Sequence, residues 1–382
     1  MKIPEKYDSI RPYEPEELPE VYERLIADEQ FKAVVGKVFP QVPFEALAAK
    51  LKQCKTNLDF QIAFCYPFLN DLLSKASKGC DIDISAIDNT RRYTFVSNHR
   101  DIVLDSALLD VMLIEADFKT TCEIAIGDNL LAAPWIENLV RVNKSFIVKR
   151  SAGIREMLVN SRTMAEYMHL VINDKHDNIW IAQREGRAKD SDDRTQESIV
   201  KMMAMGGEGT VTERLQQLHI VPVAISYEYD PCDFLKAKEF QQKRDHAEWE
   251  KGPTDDLVSM QTGIFGYKGH VHYHAAPCLD EYLDSLDPDM PKQDIYNKVA
   301  AYIDQQIHRN YRLYPGNYVA LDMLEETETY TDQYTAEDKA KFEKYIQGQL
   351  AKIDLPNKDE AYLKERLLTM YANPVRNNLA AQ

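Results

Sequence analysis

The segment Phe95-Val-Ser-Asn-His-Arg-Asp-Ile-Val-Leu-Asp105 holds the residues best suited to proton chemistry, because His99 stands close to two carboxylates, Asp101 and Asp105. Imidazole is the side chain whose charge changes near neutral pH. A carboxylate beside it fixes the tautomer and stabilises the imidazolium that forms, so the pair makes a general base. Asp105 also reads as the N-cap of a following helix. Two further segments bring cations. One ends on adjacent Lys149 and Arg150, and the other carries Arg184, Glu185, Gly186 and Arg187. From Arg141 to Lys189 the chain has ten Lys or Arg against five Asp or Glu, although its formal net charge is −16. A basic island inside an acidic chain suits a phosphorylated small molecule. Arginine grips phosphate with two donors, and a glycine such as Gly186 lets the backbone come close.

For these groups to meet, the chain must bring several loops to one place. Short β-rich runs at Tyr93–Ser97, Thr121–Ile126, Ser145–Lys149, Asn178–Ala182, His219–Ser226 and His270–Ala275 read as strands. The amphipathic stretches Leu104–Ala116, Asn129–Val140 and Gly153–Ile172 lie between the early ones. Strand and helix in alternation predict βαβ units and an α/β fold, a mostly parallel sheet flanked by helices. In such folds, loops leaving the strand ends gather the chemistry. His99, Arg150 and Arg187 all follow strand ends on this reading. Helical spacing before and after this region predicts an N-terminal helical domain over 1–89, an α/β domain over 90–290 and a C-terminal helical region over 291–382. Residues from Asn373 onward read as a frayed tail. Pro222 lacks a ladder donor, so its strand is expected at a sheet edge or at a local break.

Other features bound the function. The acidic balance argues against a nucleic-acid partner. No apolar window is long enough to span a bilayer, and Met1-Lys2-Ile3-Pro4-Glu5-Lys6 does not have the pattern of a secretory signal, so a cytoplasmic location is expected. The six cysteines form no C-x-x-C pair and read as reduced, buried thiols. Gly206-Gly-Glu-Gly209 lacks the Lys-[Ser/Thr] of a P-loop and reads as a flexible loop. His270, His272 and His274 alternate along a strand and therefore share one face, where three imidazoles could bind a transition metal for hydrolysis.

Taken in order, four segments resemble the sequence blocks of the glycerolipid acyltransferases, the family of glycerol-3-phosphate and 1-acylglycerol-3-phosphate acyltransferases. Asn98-His-Arg-Asp-Ile-Val-Leu-Asp105 is similar to the family's His-x4-Asp block, with five residues between His and Asp here instead of four. Phe146-Ile-Val-Lys-Arg150 resembles the second block, Glu185-Gly186-Arg187 the third, and Val221-Pro-Val-Ala-Ile-Ser-Tyr227 the fourth. The third block lacks the usual Phe-Pro before its Glu. The resemblance implies an acyl transfer from acyl-CoA or acyl-carrier protein to a hydroxyl of glycerol-3-phosphate or a lysophospholipid. His99 would be the base, with Asp105 its partner and Asp101 the alternative. Arg100, Lys149, Arg150, Glu185, Gly186 and Arg187 would bind substrate. No cofactor, metal or acyl-enzyme would be needed, and peripheral contact with a membrane is expected. A non-catalytic lipid-binding protein on the same fold is the alternative.

Overall fold

Phe95 and Val96 are neighbours in sequence, and both are fully buried, yet they belong to different hydrophobic clusters. A strand sends successive side chains to opposite faces, so a strand with both faces buried must lie between two layers of helix. The computed structural model describes residues 2–150, 153–252 and 254–382, and in it this strand is central to a sheet. The strands are β1 (Gly79–Asp83), β2 (Thr94–Ser97), β3 (Cys122–Gly127), β4 (Ser145–Val148), β5 (Asn178–Ala182), β6 (Ile220–Tyr227) and β7 (His270–Ala275). Their spatial order is β1-β7-β6-β2-β5-β3-β4. The five from β6 to β4 run parallel, while β7 is antiparallel to β6 and carries β1 with it.

Before β1 come α1 (Leu18–Ala27), α2 (Glu29–Val38), α3 (Phe44–Leu51), α4 (Asn57–Phe60) and α5 (Tyr66–Ala76). Between the strands lie α6 (Leu104–Glu115), α7 (Pro134–Val142), α8 (Ile154–Leu170), α9 (Glu197–Met203), α10 (Val211–Gln216), α11 (Asp233–Asp245) and α12 (Asp255–Phe265). After β7 follow α13 (Asp280–Asp284), α14 (Lys292–Arg309), α15 (Pro315–Glu325), α16 (Ala336–Ala351) and α17 (Glu360–Ala380). One sheet face packs on α5 and α6 through Leu72, Leu104 and Leu108. The other packs on α8, α9, α10 and α14 through Met168, Met203, Leu215 and Ile303. A separate cluster joins α1–α3 to Val142 of α7, and another joins α11 to α15, α16 and α17.

Several details differ from the sequence reading. β1 was not expected. It is a half-exposed edge strand, Gly-Cys-Asp-Ile-Asp, in which only Cys80 and Ile82 pack inward, so it has no apolar run to betray it. β6 is interior, between β2 and β7, despite Pro222. The break falls on one side: Ala276 N–H donates to the Pro222 carbonyl at 2.9 Å, and the return bond that proline cannot make coincides with the end of β7. The expected frayed tail is the second half of α17. Val375 is fully buried there, and the Asn378 amide donates to the His308 and Arg309 carbonyls. Gly206 is a packing point where a Cβ would strike the Ala165 backbone, not an open loop.

Candidate active site

β2 ends at Ser97, and the chain then passes Asn98 and His99 before α6 begins. Asn98 ties this turn to the sheet. Its Nδ2 donates to the Ile225 carbonyl at 2.9 Å and its Oδ1 accepts from Ile225 N–H at 2.8 Å. One oxygen of Asp105, Oδ2, then gathers the turn: it accepts from His99 Nδ1 at 2.8 Å, from Arg100 N–H at 2.6 Å and from Asp101 N–H at 3.0 Å. A carboxylate can only accept, so the shared hydrogen is assigned to Nδ1, and Nε2 is left as the basic nitrogen. The Asp105 side chain is 1% exposed and that of His99 13%, which leaves the ring reachable and its partner shielded. Trp180 of β5 meets the imidazole edge-to-face at 5.8 Å, its indole N–H fixed on Ser97 Oγ at 3.0 Å.

Asp101 does not touch the histidine ring. Its Oδ1 accepts from Val103 and Leu104 N–H at 2.9 and 2.8 Å, capping the start of α6, and burial, followed by the nearby Asp105, raises its pKa. The extra residue between His and Asp is thus absorbed in the turn. Arg100 corrects an expectation. Its guanidinium is buried against Asp193 at 2.7 Å and over the Tyr311 ring, facing away from the histidine's cavity, so it fixes the fold and is not placed to bind substrate.

His99 lines a cavity of about 1820 Å³. Small-molecule pockets are usually ~300–1,000 Å³, so the cavity has room for two small molecules at once. One part of the wall is apolar, built from Phe31, Val35, Leu47, Phe64 and Phe68 of the N-terminal helices with Ile136 of α7. Another part is cationic. Lys149, Arg150, Arg184, Arg187, Lys189 and Lys251 all line it, with Glu185 and Gly186. Gly186 has φ +69°, a left-handed turn suited to glycine. Arg150 pairs with Glu185 at 3.2 Å, and Lys149 Nζ donates to Ser9 Oγ at 2.9 Å. Among the described residues, Arg184 Nε and Arg187 Nη1 are buried donors without a protein partner. Burial, then Lys243, Lys251 and Arg187 nearby, push the Lys189 ammonium down to about 7 despite its contact with Glu239. Arg184, named among the cations of that segment, lines the cavity as well, whereas Trp180, Lys189, Lys251 and the apolar wall were not singled out from sequence. Lys189 follows a motif that was, and Lys251 sits in a loop with no signal.

The three β7 histidines share a face as expected, but they do not converge on one ion. Asp81 of β1 takes His270 Nε2 at 3.1 Å and also holds His272, while His274 faces Asp83 at 3.6 Å. The opposite side chains Val271, Tyr273 and Ala275 are fully buried, and Tyr273 OH donates to the Asp105 carbonyl at 2.9 Å. The strand therefore braces α6. Among the described residues, His219, Cys278 and Asp280 are close enough together to hold a metal, but Arg91 lies 3.2 Å from His219 Nδ1 and 3.4 Å from Asp280.

Residues 81–226 match the family model described as Acyltransferase. A solved structure, the 1-acyl-sn-glycerophosphate (LPA) acyltransferase PlsC from Thermotoga maritima, matches with a TM-score of 0.37 and 12% identity, covering 78% of this chain and 100% of that one. No curated protein matches the chain.

Proposed function

With residues 81–226 an acyltransferase-family domain whose motifs resemble those of the glycerolipid enzymes, we propose that the protein moves a fatty acyl group from an acyl thioester to a hydroxyl of a phosphorylated glycerol. Glycerol-3-phosphate is the first candidate acceptor and a lysophospholipid the second. The donor is acyl-CoA or acyl-carrier protein. The observation that carries this reading is one cavity bordered by His99, by an apolar wall and by unpartnered guanidinium donors.

The chemistry follows from those groups. Nε2 of His99 takes the proton of the acceptor hydroxyl while the oxygen attacks the thioester carbonyl. A C–O bond forms, and the carbonyl electrons move to oxygen. Collapse of that tetrahedral species breaks the C–S bond, and the departing thiolate recovers the proton from Nε2. Asp105 balances the positive ring in between. No acyl-enzyme and no cofactor enter the sequence. Arg187 and Arg184 hold the phosphate, with Arg150, Lys149 and Lys189 around it, which fixes the hydroxyl against the base. The acyl chain lies along Phe31, Val35 and Leu47.

A panel of acceptors and both donor types with purified protein, read by product mass, tests this. Transfer to a phosphorylated glycerol that disappears in His99→Ala is expected. Transfer that survives in that variant refutes the base, and absence of transfer to every acceptor refutes the function.

A further inference from the structure

Among the described residues, eight of the twelve large apolar residues that stand exposed lie in or next to two helices: Ile154, Met157, Leu158 and Val159 at the start of α8, Leu257, Val258 and Phe265 in α12, and Tyr267 two residues past its end. Scattered apolar residues are ordinary on a surface, but a concentration marks a contact site. Residues 153–159 are all exposed, so the first turns of α8 project from the body, with Ile154 as much as 77% exposed. At helical spacing Ile154, Met157 and Leu158 fall within an arc of about 100°. Arg155 and Arg162 sit at its margin, and Glu156 is on the far side. From Lys149 to Arg162 there are four cations, Lys149, Arg150, Arg155 and Arg162, against the single acid Glu156.

Met157, Leu257, Phe265 and also Val34 of α2 are at once exposed and part of the cavity wall, so they mark its opening. We propose that the start of α8, with the exposed side of α12, docks this opening on an anionic lipid bilayer. An apolar rim continuous with an apolar interior lets a lipid chain pass without crossing water. Cations at the edge of the apolar arc are placed to reach phosphate headgroups. A projecting apolar helix end at the mouth of an apolar cavity, edged by cations, fits a fluid anionic lipid surface better than a folded partner. The proposal rests on the acyl-transfer reading for its purpose, but not for its test.

The test is sedimentation with phosphatidylcholine vesicles, with and without phosphatidylglycerol, using the full chain and the double variant Ile154→Glu, Leu158→Glu. Neither residue lines the cavity. Wild-type protein should bind the anionic vesicles and be released by salt, and the variant should bind about tenfold or more weakly. Its melting temperature and its turnover of water-soluble short-chain substrates should match wild type. Failure of wild type to bind, or equal binding by the variant, overturns the proposal. So does intact vesicle binding with lost affinity for an acidic acyl-carrier protein, which would assign the patch to the donor. Vesicle binding as expected, with no transfer to any acceptor, supports the docking surface and refutes the proposed function instead.

Discussion

Asp105→Asn changes one atom and strikes the point where three donors converge. Oδ2 accepts from His99 Nδ1, Arg100 N–H and Asp101 N–H within 3.0 Å. An amide has one accepting oxygen and one donating nitrogen. If the oxygen stays with the two backbone donors, the site loses the charge that stabilised an imidazolium and the acceptor that kept hydrogen on Nδ1. The ring then carries its hydrogen on Nε2, where a base is needed. Losing a positioned general base costs about 10²- to 10⁴-fold in kcat, or about 3–5 kcal/mol of barrier. Weaker bonds to the turn should also cost about 1.5–3 kcal/mol of stability. His99→Ala separates the two effects, because Asp105 still holds both backbone donors. It should lose as much rate while changing stability by less than about 1 kcal/mol. The double variant should be no slower than the slower single one, since the residues act as a unit. Thiol release from the thioester gives the rate, and denaturant titration gives the stability. Full activity in Asp105→Asn, or independent effects that multiply in the double variant, would refute the pairing.

Arg187→Ala should raise KM for a phosphorylated acceptor by about 10- to 100-fold and leave KM for the donor near wild type. Stability should not fall, because an unpartnered buried donor is removed; initial rates and melting curves check this. Lys189 is pushed down to about 7, so in the free enzyme its charge is present below that pH and lost as pH rises through it. KM for an anionic acceptor should climb above pH 7 in wild type and less in Lys189→Arg, measured as a pH series. Asp233 is raised to about 7 by burial, so its protonated form favours the native state. Its contribution is full below the ordinary carboxylate range and lost as pH rises through about 7. The fall in melting temperature between pH 6 and 8 should therefore shrink in Asp233→Asn. Gly263→Ala would place a Cβ on Asp101 Oδ2, and overpacking there should cost about 1–3 kcal/mol in denaturant titration.

The parallel strands were legible because each is a short apolar run followed by a loop, and the strand from Asn178 to Ala182 was read to the residue. β1 was not, because an edge strand with Asp81 and Asp83 facing outward has the composition of a loop. His99 and Asp105 could be read together because they are close in sequence. The fate of Arg100 could not, since its partner Asp193 is 93 residues away and Tyr311 follows the end of α14. The apolar wall was hidden for the same reason. Phe31, Leu47 and Phe64 each look like ordinary packing residues, and only their folding against α7 leaves a space between them.

Because the His99 ring and the Arg100 and Asp101 amides after β2 all aim at a single oxygen, the count of residues in that turn is not what holds the imidazole. A loop of another length keeps the imidazole poised if its amides still find that focus. A change that leaves the length alone but moves the oxygen, such as Asp105→Glu with its longer arm, should disarm the ring more thoroughly than the extra residue already tolerated here.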